Sequence, residues 1–249
     1  MNKTKIEWCD VTINPFHGCS KISEGCANCY AERMAGRLQA MGTAGYEGGF
    51  TVKAAKDRLR GIYSLAKARK PMSVFIGSMG DFGHHQLSHA YRDDILRACE
   101  LANLQREKPH TFLFLTKRPE VLVDWAGGQD LPSWSWWGAS ASNQLDLDRV
   151  VPPMLQLHGN RYLSLEPLLG EVDLHTAMVK AGSVCDWCGG FVDSGHDCYE
   201  PSLGFHAVIL GGESGPNARP MGHNAARSAR DDEGKRVSGA NPLDQMVSQ

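Results

Sequence analysis

The sequence has no long apolar run. None of its hydrophobic segments approaches the roughly 20 residues that a membrane-spanning helix needs, and its opening residues, MNKTKIEWCD, lack the apolar core of a secretory signal peptide. We therefore expect a cytoplasmic protein without a membrane partner. Because the cytosol is reducing, paired disulfides are not expected either.

The chain also lacks a strong net charge, low-complexity segments and short internal repeats. Its 26 Lys and Arg residues nearly balance 28 Asp and Glu residues, so the formal net charge is −2 and no global positive field attracts nucleic acid. Residues 53–70 depart from this balance, with seven Lys and Arg residues against one Asp. We predict a basic helix there. A solvated face is the more common role of such a helix, and nucleic-acid binding is the alternative.

What the chain does have is a regular alternation of apolar runs with amphipathic patterns over its 249 residues. This alternation predicts βαβ units and a parallel sheet, in either a doubly wound sheet or an incomplete (β/α) barrel. The predicted strands are 8–15, 73–79, 111–117, 135–141, 161–167 and 206–212, and the predicted helices are 30–41, 88–105, 119–126, 145–157 and 171–181.

The same pattern divides the chain. Residues 1–222 form the predicted α/β domain, which a Cys-rich insertion at 182–204 interrupts between the fifth and sixth strands. Residues 223–249 are polar and weakly patterned, so we expect a partly disordered tail.

Eight cysteines require a use other than disulfides. Cys9 and Cys99 stand alone in apolar surroundings, and we predict that both are buried core residues. The other six form two groups, Cys19, Cys26 and Cys29 and then Cys185, Cys188 and Cys198.

The first group contains a CxxC, Cys26–Cys29, with Cys19 a short distance before it. Thiolates suit zinc or iron–sulfur clusters, and three cysteines on one loop can hold three irons of a [4Fe–4S] cluster and leave the fourth open. A Cys3His zinc site with His17 and a redox CxxC are the alternatives. The group follows the first predicted strand, at the edge where parallel α/β folds place their active sites, which favours the iron–sulfur cluster.

The second group offers four nitrogen and sulfur ligands, enough for a tetrahedral structural zinc. They are Cys185, Cys188, His196 and Cys198. The insertion contains few apolar residues to build a core, and a zinc ion would account for its folding.

Polar and Gly-rich residues follow each predicted strand, where the carboxyl ends of parallel strands meet. Glu166 is the clearest example, because it directly follows the apolar residues of the fifth strand and precedes Pro167. We predict that these strand ends line one site.

The segment NPFHGCSKISEGCANCYAERMAGRL resembles the opening of a phage-associated three-cysteine-motif family that has a radical-S-adenosylmethionine-like core. The segments FIGSMGDF, FLFLTKRPE, WWGASASNQ, YLSLEPLLG and VILGGESGPNARPM resemble its later strand motifs in the same order. The resemblance covers about residues 7–222. The family usually continues with a helix and a strand ending near KQWG, which do not follow here.

The resemblance implies a partial (β/α)6 TIM-like barrel with a [4Fe–4S] cluster on Cys19, Cys26 and Cys29. The open iron would bind S-adenosylmethionine, and one-electron reduction would yield a 5′-deoxyadenosyl radical that attacks an unknown substrate. The implied partners are that substrate, a one-electron donor and a protein encoded nearby in the genome. The usual spacing is CxxxCxxC, and the loop between Cys19 and Cys26 is three residues longer.

The resemblance also allows cofactor roles to be placed by strand. Residues after the second strand are candidates for the methionine amino group, and residues after the fourth for the ribose hydroxyls. These candidates are Gly77, Ser78 and Asp81, followed by Ser140 and Ser142.

Charged residues at other strand ends complete the predicted site. Glu166 or Glu213 would orient polar groups of the cofactor or substrate, and Lys117 and Arg118 would hold a carboxylate or a phosphate. Glu166 and Lys117 are the catalytic candidates. Arg219 is a further candidate without an assigned role.

Two other functions remain open at the level of sequence. One is a non-catalytic scaffold with zinc at both cysteine groups. The other is a nucleic-acid-binding or nucleic-acid-processing protein that uses the basic segment 53–70 and the six tryptophans as contacts.

Overall fold

A computed structural model describes residues 4, 6–174, 176–177, 181, 204–212 and 218–219. The predictions that concern Cys185, Cys188, His196, Cys198, Glu213 and the 223–249 tail fall outside these residues. Over the described ranges, no helix combines the length and the apolar character that crossing a bilayer requires.

Six parallel strands form the central sheet, and their order in space follows their order in the chain. A doubly wound sheet reverses its strand order at a switch point, so this alternative is excluded. The first and last of these strands are the two edges, and the described strands form an open sheet, not a closed barrel. The strands are β1 (Val11–Ile13), β4 (Ser73–Ile76), β5 (Thr111–Thr116), β6 (Ser135–Ser140), β7 (Asn160–Leu165) and β8 (Ala207–Leu210).

The structure gives the bounds of five α-helices between the strands. The buried residues of four of them pack into one large cluster with Phe112, Phe114 and Trp137 of the sheet. These helices therefore lie on one face of the sheet. The helices are α1 (Tyr30–Ala40), α2 (Leu59–Tyr63), α3 (His89–Asn103), α4 (Pro119–Ala126) and α5 (Gln144–Leu155).

The opposite face of the sheet has its own smaller cluster, built on Phe75, Leu113 and Tyr162. These side chains alternate with those of the main core because successive residues of a strand point to opposite faces. Residues 6–9 cover this face, where the Trp8 ring lies 4.7 Å from that of Phe75. Of the described residues, no helical one belongs to this cluster.

The predictions for the two single cysteines are confirmed, because Cys9 and Cys99 are 8% and 0% exposed. The predicted strand 8–15 is wrong in its extent. The sheet strand begins only at Val11, since the Asp10 carboxylate accepts hydrogen bonds from the backbone and hydroxyl of Ser73. A second short strand, β2 (Phe16–His17), then pairs antiparallel with β3 (Lys53–Ala54).

The prediction of one basic helix over 53–70 is also wrong. β3 is followed by a 3-10 turn at Lys56–Arg58, by α2 and by a second 3-10 turn at Ser64–Lys67. Three apolar residues, Leu59, Ile62 and Leu65, are buried in the main core. Burial of these three residues is therefore achieved by several short elements and not by one continuous helix.

Candidate functional site

The loop that carries the first cysteine group, residues 18–29, lies at the carboxyl end of the sheet. Its first residue, Gly18, donates a backbone hydrogen bond of 2.9 Å to Met79, just beyond β4. The Cys19 amide donates a bond of 3.2 Å to the Phe50 carbonyl. We call residues 18–29 the cysteine loop.

The three thiols of the cysteine loop are free and partly exposed. Cys26 ends a 3-10 turn, and Cys29 is the residue directly before α1. Within the described ranges, no three or more His, Cys, Asp and Glu side chains are placed to hold one metal ion. His17, the proposed fourth zinc ligand, is 2% exposed, and its ring lies 4.4 Å from that of Tyr46.

Arg118 joins the cysteine loop to the strand ends. Its Nη1 donates to Cys19 Sγ at 3.4 Å and to Asp81 Oδ2 at 2.5 Å. Its Nη2 donates to the carbonyl and hydroxyl oxygens of Ser20 at 2.7 and 3.0 Å. The guanidinium is buried, so it holds these three residues in a fixed arrangement.

Asp81 is the buried counterion of Arg118. Its other oxygen accepts hydrogen bonds from the Thr116 hydroxyl and, at 2.9 Å, from the Gly83 amide. The Lys117 amide also approaches the first oxygen, at 3.4 Å. The carboxylate of Asp81, a predicted cofactor residue, thus accepts hydrogen bonds from groups of the chain itself.

His84 is a residue of the site that the sequence analysis missed. Its Nδ1 accepts from the Gln86 amide, so Nε2 carries the proton and donates to Ser20 Oγ at 3.0 Å. Burial and the Arg118 charge lower the pKa of His84 to about 4, so the ring is neutral near pH 7. A GDFGHH segment directly after a strand end was the available signal.

A cleft of about 490 Å³ opens beside this group. Cys19 and His84 line one part of it, and Phe50 and Val52 line another. The cleft beside the cysteine loop therefore has one apolar wall and one wall formed by an imidazole ring. Its volume is sufficient for a ligand.

Lys117 reaches the next strand end. Its Nζ donates to Ser140 Oγ at 2.7 Å, and that hydroxyl donates to the Glu166 carbonyl at 3.1 Å. Burial lowers the pKa of Lys117, while Cys26 and two carboxylates oppose this effect. The structure therefore brings together three predicted site residues, from the ends of β5, β6 and β7.

Ser142 lies directly beneath the cysteine loop. It is 0% exposed, and its Oγ has no hydrogen-bond partner among the described residues. A Cβ on Gly25 would lie 1.9 Å from this Oγ and 3.5 Å from Lys117 Nζ. Only a glycine allows the loop to approach so closely.

The thiols of the cysteine loop differ in their electrostatic surroundings. Burial raises the pKa of Cys26. Hydrogen bonds from the Ile22 backbone and from Ser23, together with the Lys117 charge, lower it by more, so the net pKa of Cys26 is lowered. The pKa of Cys19 is raised, because burial and the Asp81 charge outweigh the effect of Arg118.

The Glu166 side chain lies beyond Ser140, at the β7 and β8 ends. Ser164 Oγ donates to Glu166 Oε2 at 3.4 Å, and burial raises the pKa of this carboxyl. A Cβ on Gly211 would lie 2.1 Å from Oε1, so the β8 end covers the carboxylate closely.

Two predicted cofactor residues, Gly77 and Ser78, contact the segment that follows β1. Ser78 donates to Asn14 Oδ1 at 3.1 Å, and Gly77 has a positive φ of 90° with the Phe16 ring against its α-carbon. Arg219 contacts the cysteine loop instead, since its Nη2 donates to the Glu24 carbonyl at 3.2 Å.

One comparison with known proteins gives a match. A protein-family model described as "Protein of unknown function (DUF5131)" matches residues 3–237. Neither the curated proteins nor the solved structures contain a match to this chain.

Proposed function

The chain belongs to the DUF5131 family of proteins of unknown function, and we propose that it is a radical-S-adenosylmethionine-like iron–sulfur enzyme. The single observation that carries the proposal is the cysteine loop. Its three free thiols lie on one loop at the carboxyl end of a parallel sheet. Cys19 lines a cleft and accepts a hydrogen bond from Arg118, and the Lys117 charge acts on Cys26. In parallel α/β folds this edge is where substrates and cofactors bind.

A cluster suits the loop better than one zinc ion does. A zinc ion needs its ligands around one point, and the described residues contain no such group. In a [4Fe–4S] cluster each cysteine binds a different iron, so the three thiols surround a group that is larger than a single ion. Arg118 also donates to Cys19 Sγ, a contact of the kind that tunes such clusters.

Cys19, Cys26 and Cys29 would hold the cluster, and S-adenosylmethionine bound with it would supply a 5′-deoxyadenosyl radical for hydrogen abstraction. The chain's own residues would bind and orient the reactants. Arg118 fixes the loop, and Lys117 places a positive charge near Cys26. The Glu166 carboxyl is a candidate for moving a proton, because its raised pKa keeps it partly protonated closer to neutrality than an exposed glutamate.

The fold is compatible with this proposal. Consecutive strand order and helices on one face are expected for a partial (β/α)6 barrel of the radical-S-adenosylmethionine type. We propose this finer fold class, and the phage association of the resembling motifs, together with the function.

The first test is metal content. The chain purified under anaerobic conditions should contain about four irons per chain and absorb broadly in the visible region. Cys26→Ala should lose this iron, because two thiolates do not hold the cluster, and should keep the circular dichroism of the wild type. The control Cys99→Ala, in α3, should retain its iron. Full iron content in Cys26→Ala would rule out the assignment.

The second test is turnover. The reduced protein should slowly release methionine and 5′-deoxyadenosine from S-adenosylmethionine, and Cys29→Ala should release neither. A chemical reductant replaces the one-electron donor, and a protein encoded nearby can be added. Zinc in place of iron, with no cofactor binding, would support the zinc scaffold. Zinc beyond the iron that is lost in Cys188→Ser would support the second metal site.

The basic segment favours nucleic-acid binding as a second candidate function. Leu59, Ile62 and Leu65 of this segment are buried in the core. Most of its cationic side chains are exposed: Lys53, Lys56, Arg60, Lys67, Arg69 and Lys70. If they contact phosphates, single-stranded oligonucleotides should bind with an affinity that falls steeply with salt. Unchanged affinity in a Lys67→Ala, Arg69→Ala double variant would reject this candidate.

A further inference from the structure

A second cavity, of about 450 Å³, lies between α3 and α4 on the helical side of the sheet. Both helices line it, together with the segment that leads from α4 into β6. That segment reaches β6 at its amino end, whereas the cysteine loop lies at the carboxyl end of the sheet. We call this cavity the α3–α4 groove. None of the residues of the cysteine loop lines it.

Two indole rings form the apolar part of the α3–α4 groove. Trp125 and Trp134 are both partly exposed, and both pack against the main core. The Trp125 ring lies 5.7 Å from that of Phe82 and 5.4 Å from that of Trp137. The Trp134 ring lies 5.6 Å from that of Phe112. Because core rings hold them, the two indoles are in place before a ligand arrives.

The polar part of the α3–α4 groove is acidic. Asp93, Glu100 and Asp130 line it, and none of the described residues that line it is a lysine or an arginine. Glu100 pairs with Arg97 at 2.6 Å, and Asp130 lies 3.3 Å from the ring of His158. The groove therefore favours a ligand that is positively charged.

Asp93 joins the acidic and the aromatic parts of the groove. Its Oδ1 accepts a hydrogen bond of 2.8 Å from Trp125 Nε1, and its Oδ2 accepts none from the described residues. The neighbouring Arg92 is fully buried, and its guanidinium donates to the carbonyls of Phe82 and His84. An exposed carboxylate oxygen that can accept hydrogen bonds therefore lies beside an indole ring.

We propose that the α3–α4 groove is a docking site for an arginine side chain of a partner protein. A guanidinium stacks on an indole and donates hydrogen bonds to a carboxylate, and its charge complements the acidic lining. The volume of the cavity is in the range that holds a whole small ligand, so it also accommodates residues that flank the arginine. The same negative charge disfavours the phosphates of a nucleic acid.

The docking site does not rest on the proposed function. Its lining comes from α3, α4 and the segment before β6, and the cleft beside Cys19 is lined by other residues. An arginine docked in the groove therefore does not touch the cysteine loop, and its affinity should not depend on iron.

The experiment is calorimetric titration of the full chain at pH 8, where an exposed histidine carries no charge. The main probe is a short glycine peptide with one central arginine and both ends blocked. The second probe has citrulline in place of the arginine, which keeps the shape of the side chain and removes its charge. The third is ethylguanidinium, which carries the charged group without a peptide.

The variants separate the charge from the ring. Asp93→Asn removes the charge and keeps an oxygen that can accept from Trp125 Nε1, so it should fold as the wild type does. Trp125→Phe keeps an aromatic ring against the core and removes the indole. The matched control is Asp94→Asn, because Asp94 is an exposed carboxylate of α3 that does not line the groove.

The wild type should bind the arginine peptide about fivefold more tightly than the citrulline peptide, and this preference should fall as the salt concentration rises. Asp93→Asn should lose most of the preference. Trp125→Phe should bind the arginine peptide about threefold more weakly, since tryptophan makes the strongest cation–π contacts. Asp94→Asn should match the wild type, and so should Cys26→Ala, which tests the iron site.

Equal affinities for the arginine and citrulline peptides, or no binding of either, would overturn the docking site. Unchanged binding in both Asp93→Asn and Trp125→Phe would also overturn it, because the peptide would then bind elsewhere. Ethylguanidinium that binds as tightly as the arginine peptide would replace the partner protein by a small cation. A wild type that prefers arginine but purifies without iron would support the docking site and reject the proposed function.

Discussion

Arg118 is the residue on which most contacts of the site converge, and its energetic role follows from burial. Arg118 and Asp81 are 5% and 7% exposed, and their side chains approach to 2.5 Å. Removing one member of a buried pair leaves the other charge without compensation. Removing either member of the pair should therefore lower the free energy of unfolding.

We expect Arg118→Ala to lower the free energy of unfolding by about 3–5 kcal/mol, as for other broken buried ion pairs. Arg118→Lys should recover only part of this loss, since an ammonium cannot make the same fork of hydrogen bonds. Urea denaturation of each variant measures the effect. The matched control is Arg97→Ala, whose exposed pair with Glu100 should contribute at most about 1 kcal/mol. Equal losses at both positions would contradict this account.

Gly25 tests how closely the cysteine loop approaches the sheet. In Gly25→Ala the new methyl group would overlap Ser142 Oγ, so we expect a destabilisation of about 1–3 kcal/mol from overpacking. Gly36→Ala is the control, because its Cβ would meet no atom within 4 Å on the exposed side of α1. That change should stabilise the chain by about 0.5–1 kcal/mol. Thermal unfolding of the two variants should shift in opposite directions.

At the scale of elements, His110 joins three segments just before β5. Its Nδ1 accepts from the Met72 amide at 3.1 Å, and its Nε2 lies 3.0 Å from the Leu65 carbonyl. Its backbone exchanges two hydrogen bonds with the Asn103 side chain at the end of α3. The ring is 0% exposed and must be neutral at Nδ1 to accept its bond.

Burial lowers the pKa of His110 from 6.5, so the unfolded chain binds the proton more readily than the folded one. The stability that the neutral ring contributes is fully present above pH 6.5 and is lost as the pH falls through the lowered pKa. We expect His110 to add up to about 1.4 kcal/mol per pH unit to the slope of the unfolding free energy in this window.

Urea denaturation between pH 7.5 and pH 5 measures this slope. His110→Gln should show a shallower slope than the wild type, whereas the control His158→Gln, an exposed histidine, should keep it. Other buried histidines contribute equally to both proteins, so the difference isolates His110. Identical slopes in all three would show that this ring does not couple folding to pH.

At the scale of the whole molecule, the two faces of the sheet have different covers. Helices cover one face, where the Phe114 and Trp137 rings stack with centroids 4.3 Å apart. The other face is covered by the N-terminal residues and by no described helix. The main stability of the molecule should therefore reside on the helical face.

We expect Phe114→Ala to cost about 3–5 kcal/mol, because a fully buried aromatic ring leaves a cavity that the strands cannot close. Leu145→Ala, at a position 79% exposed on α5, should change the stability by less than about 0.5 kcal/mol. Chemical denaturation of the two variants measures both changes in stability. A small loss at Phe114 would mean that the main core does not dominate.

Local sequence signals predicted the six sheet strands and the four longer helices, but not β2, β3 and α2. α4 was predicted with its observed limits, 119–126, because Pro119 starts the helix and the positive φ of Gly127 ends it. The alternation of apolar runs placed all six sheet strands within a few residues. These signals are local, since capping, proline geometry and periodicity involve residues close together in the chain.

Contacts between distant residues are visible only in the folded chain. Arg118 pairs with Asp81 across 37 positions, His84 meets Ser20 across 64, and Gly25 of the cysteine loop lies against Ser142. Before folding, Lys117 and Arg118 were equivalent cations at one strand end. Packing gave Arg118 a buried carboxylate and gave Lys117 the Ser140 hydroxyl, because the choice of partner depends on how the loops close over the sheet and not on local sequence.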